Sequence, residues 1–348
     1  MDNIKVGIVG CGLIAKLRHI PAYRKMRNVT VQAVCDLNEQ LAKETAEEFK
    51  IPKFYTDTSK MFSDENLDIV DICVPPQIHA PIAIEAMKSG SNVIMEKPMA
   101  LKVSDCEEMI EVSKENNVKL SVIHNKNFHS PFLKAKKLVK NGEIGEFVGL
   151  RMFLATPRWD MIDLKDHWYH KLPGGVIGET GPHIAYMSSE FIQNINEVDV
   201  YAKNYLKHPW APNDDFRIEL LGDNGISSII LSYTPNYWVC DIDIIGTDAI
   251  LRLDLNGMLI TKHNLKELKY GCFIKYYLSE IGQIIKGIFK NAFGSKKIGT
   301  DLVIEMFVKS ILNNTELPVT AEEGKEAVRI MEMVVEKYDK KYKSDDLK

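Results

Sequence analysis

At 348 residues the chain is long for one hydrophobic core and comfortable for two domains. Its 45% hydrophobic and 26% charged content is ordinary for a globular protein, and a net charge of −4 excludes the strong basic bias of a nucleic-acid binder. No apolar run approaches the ~18 residues of a membrane span, and the six cysteines form no Cys-x-x-Cys pair or zinc-like spacing.

The first third alternates strand and helix patterns. Ile4–Val9 reads as a buried strand, followed by a glycine turn and a helix from about Leu13 that Pro21 kinks or shortens. Val29–Cys35 is the next strand, ending at Asp36, and the Glu/Ala/Lys-rich stretch 38–49 is a helix. Further strands are predicted at 69–74, stopped by Pro75-Pro76, at 91–95 and at 119–123, with helices over 80–88 and 104–116. Strands separated by crossover helices imply an α/β, doubly wound parallel sheet of Rossmann type over residues 1–124. The chain opens on a strand with no leader pattern, so a reducing, cytoplasmic compartment is expected.

From about residue 145 the pattern becomes strand after strand: 147–155, 198–206, 216–221, 226–233, 239–245 and 250–255. Turn signals at Gly222-Asp223-Asn224-Gly225, Gly246-Thr247-Asp248 and Asn256-Gly257 join neighbours that must pair antiparallel. Residues 125–348 are therefore expected to form an α+β domain on an open, mainly antiparallel sheet, with an inserted amphipathic helix at about 270–295 and a frayed tail after about Tyr338. That helix carries an apolar stripe (Ile274, Tyr277, Leu278, Ile281, Ile285, Ile288, Phe289), and 266–297 holds seven lysines against two glutamates. Packing on the sheet or on a partner subunit is the favoured reading, contact of 274–293 with an anionic membrane surface the rival one.

Gly10-Cys11-Gly12-Leu13-Ile14-Ala15 fits G-x-G-x-x-G/A between a strand and a helix. Gly10 allows the tight turn, and Gly12 lets a pyrophosphate approach the backbone at the helix N-terminus. Asp36, at the end of the second strand, can accept hydrogen bonds from the adenosine ribose and repel a 2′-phosphate, so NAD is expected over NADP. Lys97, in Glu96-Lys97-Pro98, stands at a later strand end, where such sheets bind ligands. In Gly174–His183, Pro182 suits the first turn of a helix, which would place His183 near a helix N-terminus as a neutral base, with Glu179 four residues before it. Alcohol oxidation by NAD needs a base for the hydroxyl proton and a cation for the developing alkoxide; His183 and Lys97 match those roles.

Together these three motifs, in this order and with the late segment 318–324, resemble the glucose–fructose oxidoreductase/inositol dehydrogenase (Gfo/Idh/MocA) family. The resemblance runs through nearly the whole chain. It implies that Lys97 contacts substrate and relays the proton beside the nicotinamide, that the Lys97–Pro98 bond is cis, and that Glu96 and Lys97 touch the cofactor. It also implies that Pro75 and His79 line the cofactor, that Asn125 faces the nicotinamide, and that the protein is a homodimer or homotetramer. Glu179 stands where the family has Asp, and Tyr186 stands where a second Asp follows the histidine.

Trp159 and Trp168, with Arg158, Asp160, His167, Tyr169 and His170, bring aromatic and polar groups suited to a polyol; Trp210, Asp214 and Asp215 follow. A sugar, nucleotide-sugar or cyclitol is the expected substrate, with Arg158 and Lys171 as the candidates to meet a diphosphate. His167, His170, Glu179 and His183 do not complete a ligand spacing, so no metal is expected. A non-catalytic NAD-linked regulatory or binding protein is the alternative function; both Lys97 and His183, whose loss would favour it, are present.

Overall fold

A computed structural model describes residues 3–264, 269–293 and 299–342. The chain divides into two compact units: Met1–Asn125 with Ile298–Arg329, and Lys126–Lys297 with Ile330–Lys348. The break after Asn125 lies beside the expected one, while 298–329 returns to the first unit rather than staying with the second.

The first unit holds β1 (Ile4–Val9), a helical segment from Leu13 ending in α1 (Ile20–Arg24), β2 (Val29–Cys35), α2 (Glu39–Phe49), β3 (Lys53–Tyr55), α3 (Thr58–Asp64), β4 (Ile69–Ile72), α4 (His79–Lys88), β5 (Asn92–Met95), α5 (Val103–Glu115) and β6 (Leu120–Val122). Pro21 has no N–H to close an ordinary helical turn, and the stretch before it, Ala15–His19, widens into a π-helical turn. The six strands run parallel in the order β3-β2-β1-β4-β5-β6, the doubly wound arrangement. Val6, Ile8, Val9, Ile69, Val70, Ile72 and Ile94 are buried, as near-continuous apolar strands covered on both faces require. A charge breaks the apolar pattern at Asp71, wholly buried in the middle of β4.

The second unit holds α6 (Ser130–Lys140), β7 (Phe147–Ala155), α7 (Val176–Ser189), β8 (Glu197–Lys203), β9 (Asp215–Gly222), β10 (Gly225–Ser232), β11 (Val239–Gly246), β12 (Ile250–Asp254), β13 (Leu259–His263) and α8 (Tyr270–Phe293). Its seven strands are ordered β13-β12-β11-β7-β10-β9-β8, antiparallel throughout except for the β7–β10 pair. Burial alternates along β8, β9 and β11, with Val200, Ile218 and Ile242 inward, as a sheet packed on one face demands.

Two helices close the chain. α9 (Gly299–Leu312) packs on α1 in the first unit, and the Thr320–Glu323 box caps α10 (Ala321–Tyr342): Glu323 Oε2 accepts the Thr320 N–H at 2.6 Å, and Thr320 Oγ1 accepts the Glu323 N–H at 3.1 Å. The 318–324 segment is stitched to β6, since the Ser121 hydroxyl donates to the Val319 carbonyl at 2.7 Å. The expected fraying after Tyr338 does not occur before Tyr342, whose hydroxyl accepts the Ala202 N–H at 2.8 Å; 343–348 lie outside the described residues.

Candidate active site

Residues Cys35, Val9, Ile72, Met95 and Val122 are register partners in one row across the parallel sheet. Whatever follows them therefore shares its carboxyl edge. That edge carries Gly10–Gly12, Asp36, Pro75, Glu96-Lys97 and Asn125.

Gly10 has φ +96°, and a Cβ there would lie 2.7 Å from the Cys73 carbonyl oxygen, so only glycine fits this turn. At Gly12 a Cβ would meet nothing within 4 Å: the space over the turn is open. Leu13 and Leu37 flank it at 75% and 89% exposure, and Ile14 is exposed as well. Asp36 is anchored by two backbone donors, the Cys11 N–H at 2.8 Å on one oxygen and the Asn38 N–H at 2.9 Å on the other. Each oxygen keeps a lone pair for a ribose hydroxyl. An open glycine turn, a helix entrance and an oriented carboxylate fit a dinucleotide. Burial, reinforced by the Asp36 charge, pushes the Cys11 thiol up to about 12, so it is an inert filler under the turn.

Beneath the Glu96-Lys97-Pro98 turn lies a charged network that includes His19 and Asp71, neither of which stands out as functional in the sequence. His19 Nδ1 is 2.8 Å from Asp71 Oδ2, and Nε2 is 3.0 Å from Glu96 Oε1. A neutral imidazole can donate through only one nitrogen, so two carboxylate partners call for the imidazolium. Burial is the largest single influence on the His19 ring and pushes it down, but Asp71 and Cys73, by charge and hydrogen bond together, hold the ring well above its ordinary value. Burial likewise pushes Glu96 up, and the bond from His19, with its charge and that of Lys97, brings the carboxyl below its ordinary range. Glu96 Oε2 in turn accepts the Lys97 backbone N–H at 3.2 Å. Cys73, 3.6 Å from Asp71, completes with it and His19 a group whose donor atoms lie within 4.8 Å of one another. Both imidazole nitrogens being engaged by carboxylates, the protonated ring accounts for this cluster without an ion. The signal available in the sequence is Asp71 itself, a charge inside an otherwise apolar strand.

The Lys97–Pro98 peptide is cis. His79 is fully buried, with its ring nitrogens 2.9 Å from the Pro98 carbonyl and 2.8 Å from the Val74 carbonyl. It ties the turns after β4 and β5 together, and burial pushes its ring below the ordinary value. Pro75 is exposed and Asn125 half-buried, each just past its strand.

In the second unit, Gly174 and Gly175, with φ of +75° and +64°, turn the chain into α7. Because the helix starts at Val176, Pro182 lies inside it and His183 seven residues beyond its start. The expected placement of His183 at a helix N-terminus is thus corrected, and its environment comes from side chains instead. Glu179 and His183, four apart, share one face of α7. The Thr180 hydroxyl donates to Glu179 Oε2 at 3.0 Å. His183 Nδ1 lies 2.6 Å from the Tyr186 hydroxyl, which also accepts the Lys126 N–H at 3.2 Å. Tyr186, at the position where the resemblance implies a second Asp, thus partners His183.

The loop before α7 adds Asp160 and His167. Burial, then the Glu179 charge, holds Asp160 above its ordinary range; burial pushes His167 down against the opposing pull of Glu179 and Asp160. His167 Nδ1 is buried with no hydrogen-bond partner. Trp159 is 57% exposed and Trp168 half-buried beside His167. Other polyol candidates have structural duties. Arg158 pairs with Asp163 at 3.0 Å, Trp210 donates to the Ile162 carbonyl at 2.9 Å and Asp214 accepts the Tyr205 and Leu206 N–H groups.

Residues 4–124 match the oxidoreductase family with an NAD-binding Rossmann fold, and 132–252 match the GFO/IDH/MocA C-terminal domain. The oxidoreductase YrbE of Bacillus subtilis is 24% identical over 340 residues, covering 94% of this chain and 92% of its own. Myo-inositol 2-dehydrogenase of Thermotoga maritima is 29% identical over half of each chain. Levoglucosan dehydrogenase in complex with NADH and levoglucosan superposes with a TM-score of 0.82 at 19% identity, over 97% of this chain and 98% of that one, a likeness of fold. The chain belongs to the Gfo/Idh/MocA family of NAD-binding oxidoreductases.

Proposed function

We propose that this protein is an NAD-dependent dehydrogenase acting on a secondary alcohol of a sugar-like substrate, with the first unit binding the nucleotide and the second the substrate. The observation that carries the reading is the Glu96-Lys97 turn, held by His19 on the sheet edge that also carries the Gly10–Gly12 turn and Asp36. Gly10, Gly12, Leu13, Ile14, Asp36, Pro75, Glu96, Lys97 and Asn125 would hold the cofactor, with His79 bracing the turns. When bound, NAD supplies the hydride acceptor.

His183 takes the hydroxyl proton at Nε2, keeping its Nδ1 proton on the Tyr186 oxygen, as the C–H bond breaks and the carbonyl forms. The Lys97 ammonium stabilises the oxygen as negative charge develops. Glu179 orients the histidine from one helical turn away. Trp159 and Trp168 offer aromatic faces to a sugar ring. The Nε–H of Arg158 is taken by Asp163, which leaves the exposed Lys171 as the candidate donor to a diphosphate; a free sugar or cyclitol is the favoured class. Asp36 favours NAD over NADP. The reading includes a homodimer or homotetramer in the cytoplasm; no helix among the described residues is long and apolar enough to cross a membrane.

The test is a panel of sugars, cyclitols and nucleotide-sugars with NAD, read by NADH absorbance. Turnover of a free sugar or cyclitol supports the proposal. NAD binding without turnover of any member assigns the chain to the non-catalytic alternative.

A further inference from the structure

α8 is amphipathic the wrong way round. Its polar and small residues face the sheet: the Tyr276 hydroxyl bonds His263 Nδ1, Glu280 Oε1 lies 3.1 Å from His263 Nε2, and Gln283 Oε1 accepts the Lys262 N–H at 3.0 Å. Gly287 sits so close to β13 that a Cβ there would be 2.7 Å from Leu259 Cδ2. On the opposite side Ile274, Leu278, Ile281, Ile285, Ile288 and Phe289 are all exposed, within an arc of about 100° that runs along ~23 Å of helix. The helix packs on the sheet, as one half of the favoured expectation has it, but through its polar face and not through this stripe. A continuous exposed stripe of this kind marks an interaction surface.

Charge decides what covers it. Residues 266–297 carry seven lysines and two glutamates, a net +5 in a chain whose total is −4, so the remainder carries −9. Glu280 turns inward onto His263, leaving exposed Lys275 and Lys286 along one margin of the stripe. Pairing two copies stripe to stripe would bring like charge, Lys275 and Lys286 of each copy, to one interface. A bilayer bearing anionic headgroups meets the same stripe with opposite charge, while repelling the rest of the chain. Lysine stems lie along apolar surface with the ammonium in the headgroup layer, and the helix does not have the character of a membrane span. We propose that α8 lies in the surface of an anionic phospholipid bilayer, its isoleucine-rich stripe in the acyl boundary and its polar face on β13.

The experiment is co-sedimentation of the full chain with vesicles of phosphatidylcholine alone and of phosphatidylcholine with about 30% phosphatidylglycerol. The proposal expects at least about tenfold stronger partitioning onto the anionic vesicles, weakened by salt. Leu278→Ser/Ile285→Ser, at exposed positions, lowers it by about tenfold or more. Lys275→Glu/Lys286→Glu, which leaves the stripe intact, removes most of the anionic preference. Absence of anionic binding, or equal binding by either folded variant and the parent, overturns the proposal. So does a soluble dimer that Leu278→Ser/Ile285→Ser dissociates while vesicles stay bare, which would assign the stripe to a second copy.

Discussion

His183 Nδ1 lies 2.6 Å from the hydroxyl of Tyr186, one turn further along α7, and that hydroxyl also accepts the Lys126 N–H. A phenol therefore orients the imidazole, at the position where the family resemblance implies a second Asp. Tyr186→Phe removes the hydroxyl that lies against Nδ1 and accepts the Lys126 N–H. The expected outcome is a kcat reduced by about tenfold with a smaller change in KM, since the bond positions a base rather than holding substrate. Steady-state kinetics on the substrate found by the panel checks this; an unchanged kcat would show that Tyr186 has no such part.

The His19 array has a pH signature. His19 is raised above its ordinary 6.5, so its contribution to stability is complete below about 6.5 and declines as pH climbs through the folded value. Glu96 is lowered from 4.5, so its contribution is complete above about 4.5 and declines as pH falls through the folded value. Replacing His19 by Gln strands two carboxylates and is expected to destabilise the protein by about 3–5 kcal/mol in the window between. Urea unfolding of parent and variant across pH should show the gap widest there and narrowing on the alkaline side. A gap that stays constant into alkaline pH would mean that His19 carries no extra proton.

Asp36 bears on the choice of cofactor. Asp36→Ser loses a charged acceptor for the ribose and should weaken NAD binding by about 10–100-fold while narrowing the preference over NADP. Fluorescence titration with NADH and NADPH measures both. If the parent binds NADPH at least as tightly as NADH, the reasoning from Asp36 does not hold.

At Gly10, alanine would put a Cβ 2.7 Å from the Cys73 carbonyl at φ +96°. Gly10→Ala is expected to cost about 1–3 kcal/mol of stability and to impair NAD binding together. A calorimetric scan with and without NAD reads both effects.

Much of this was legible in the sequence, for physical reasons that differ by element. β1, β2 and β7 follow their apolar patterns residue for residue, because buried parallel strands and half-buried strands leave different periods. β3 is a three-residue edge strand, too short for any period, and β13 beyond the Asn256-Gly257 turn was not foreseen. Pro182 misled because proline usually opens a helix; the Gly174-Gly175 turn had already started this one. The return of 298–329 to the first unit depends on long-range contacts such as that of Ser121 with Val319, which leave no local pattern. Motif residues Gly10, Gly12, Asp36 and Lys97 fall on one sheet edge because strand ends carry them there. The residues that act through others, His19, Asp71 and Tyr186, announce themselves only through distances.

The most direct test of the central claim is turnover and NADH affinity of Lys97→Ala, with His183→Ala in parallel, on the identified substrate. The account predicts that each variant loses turnover by about 10²–10⁴-fold while NADH still binds. Near-normal turnover by either variant would contradict it.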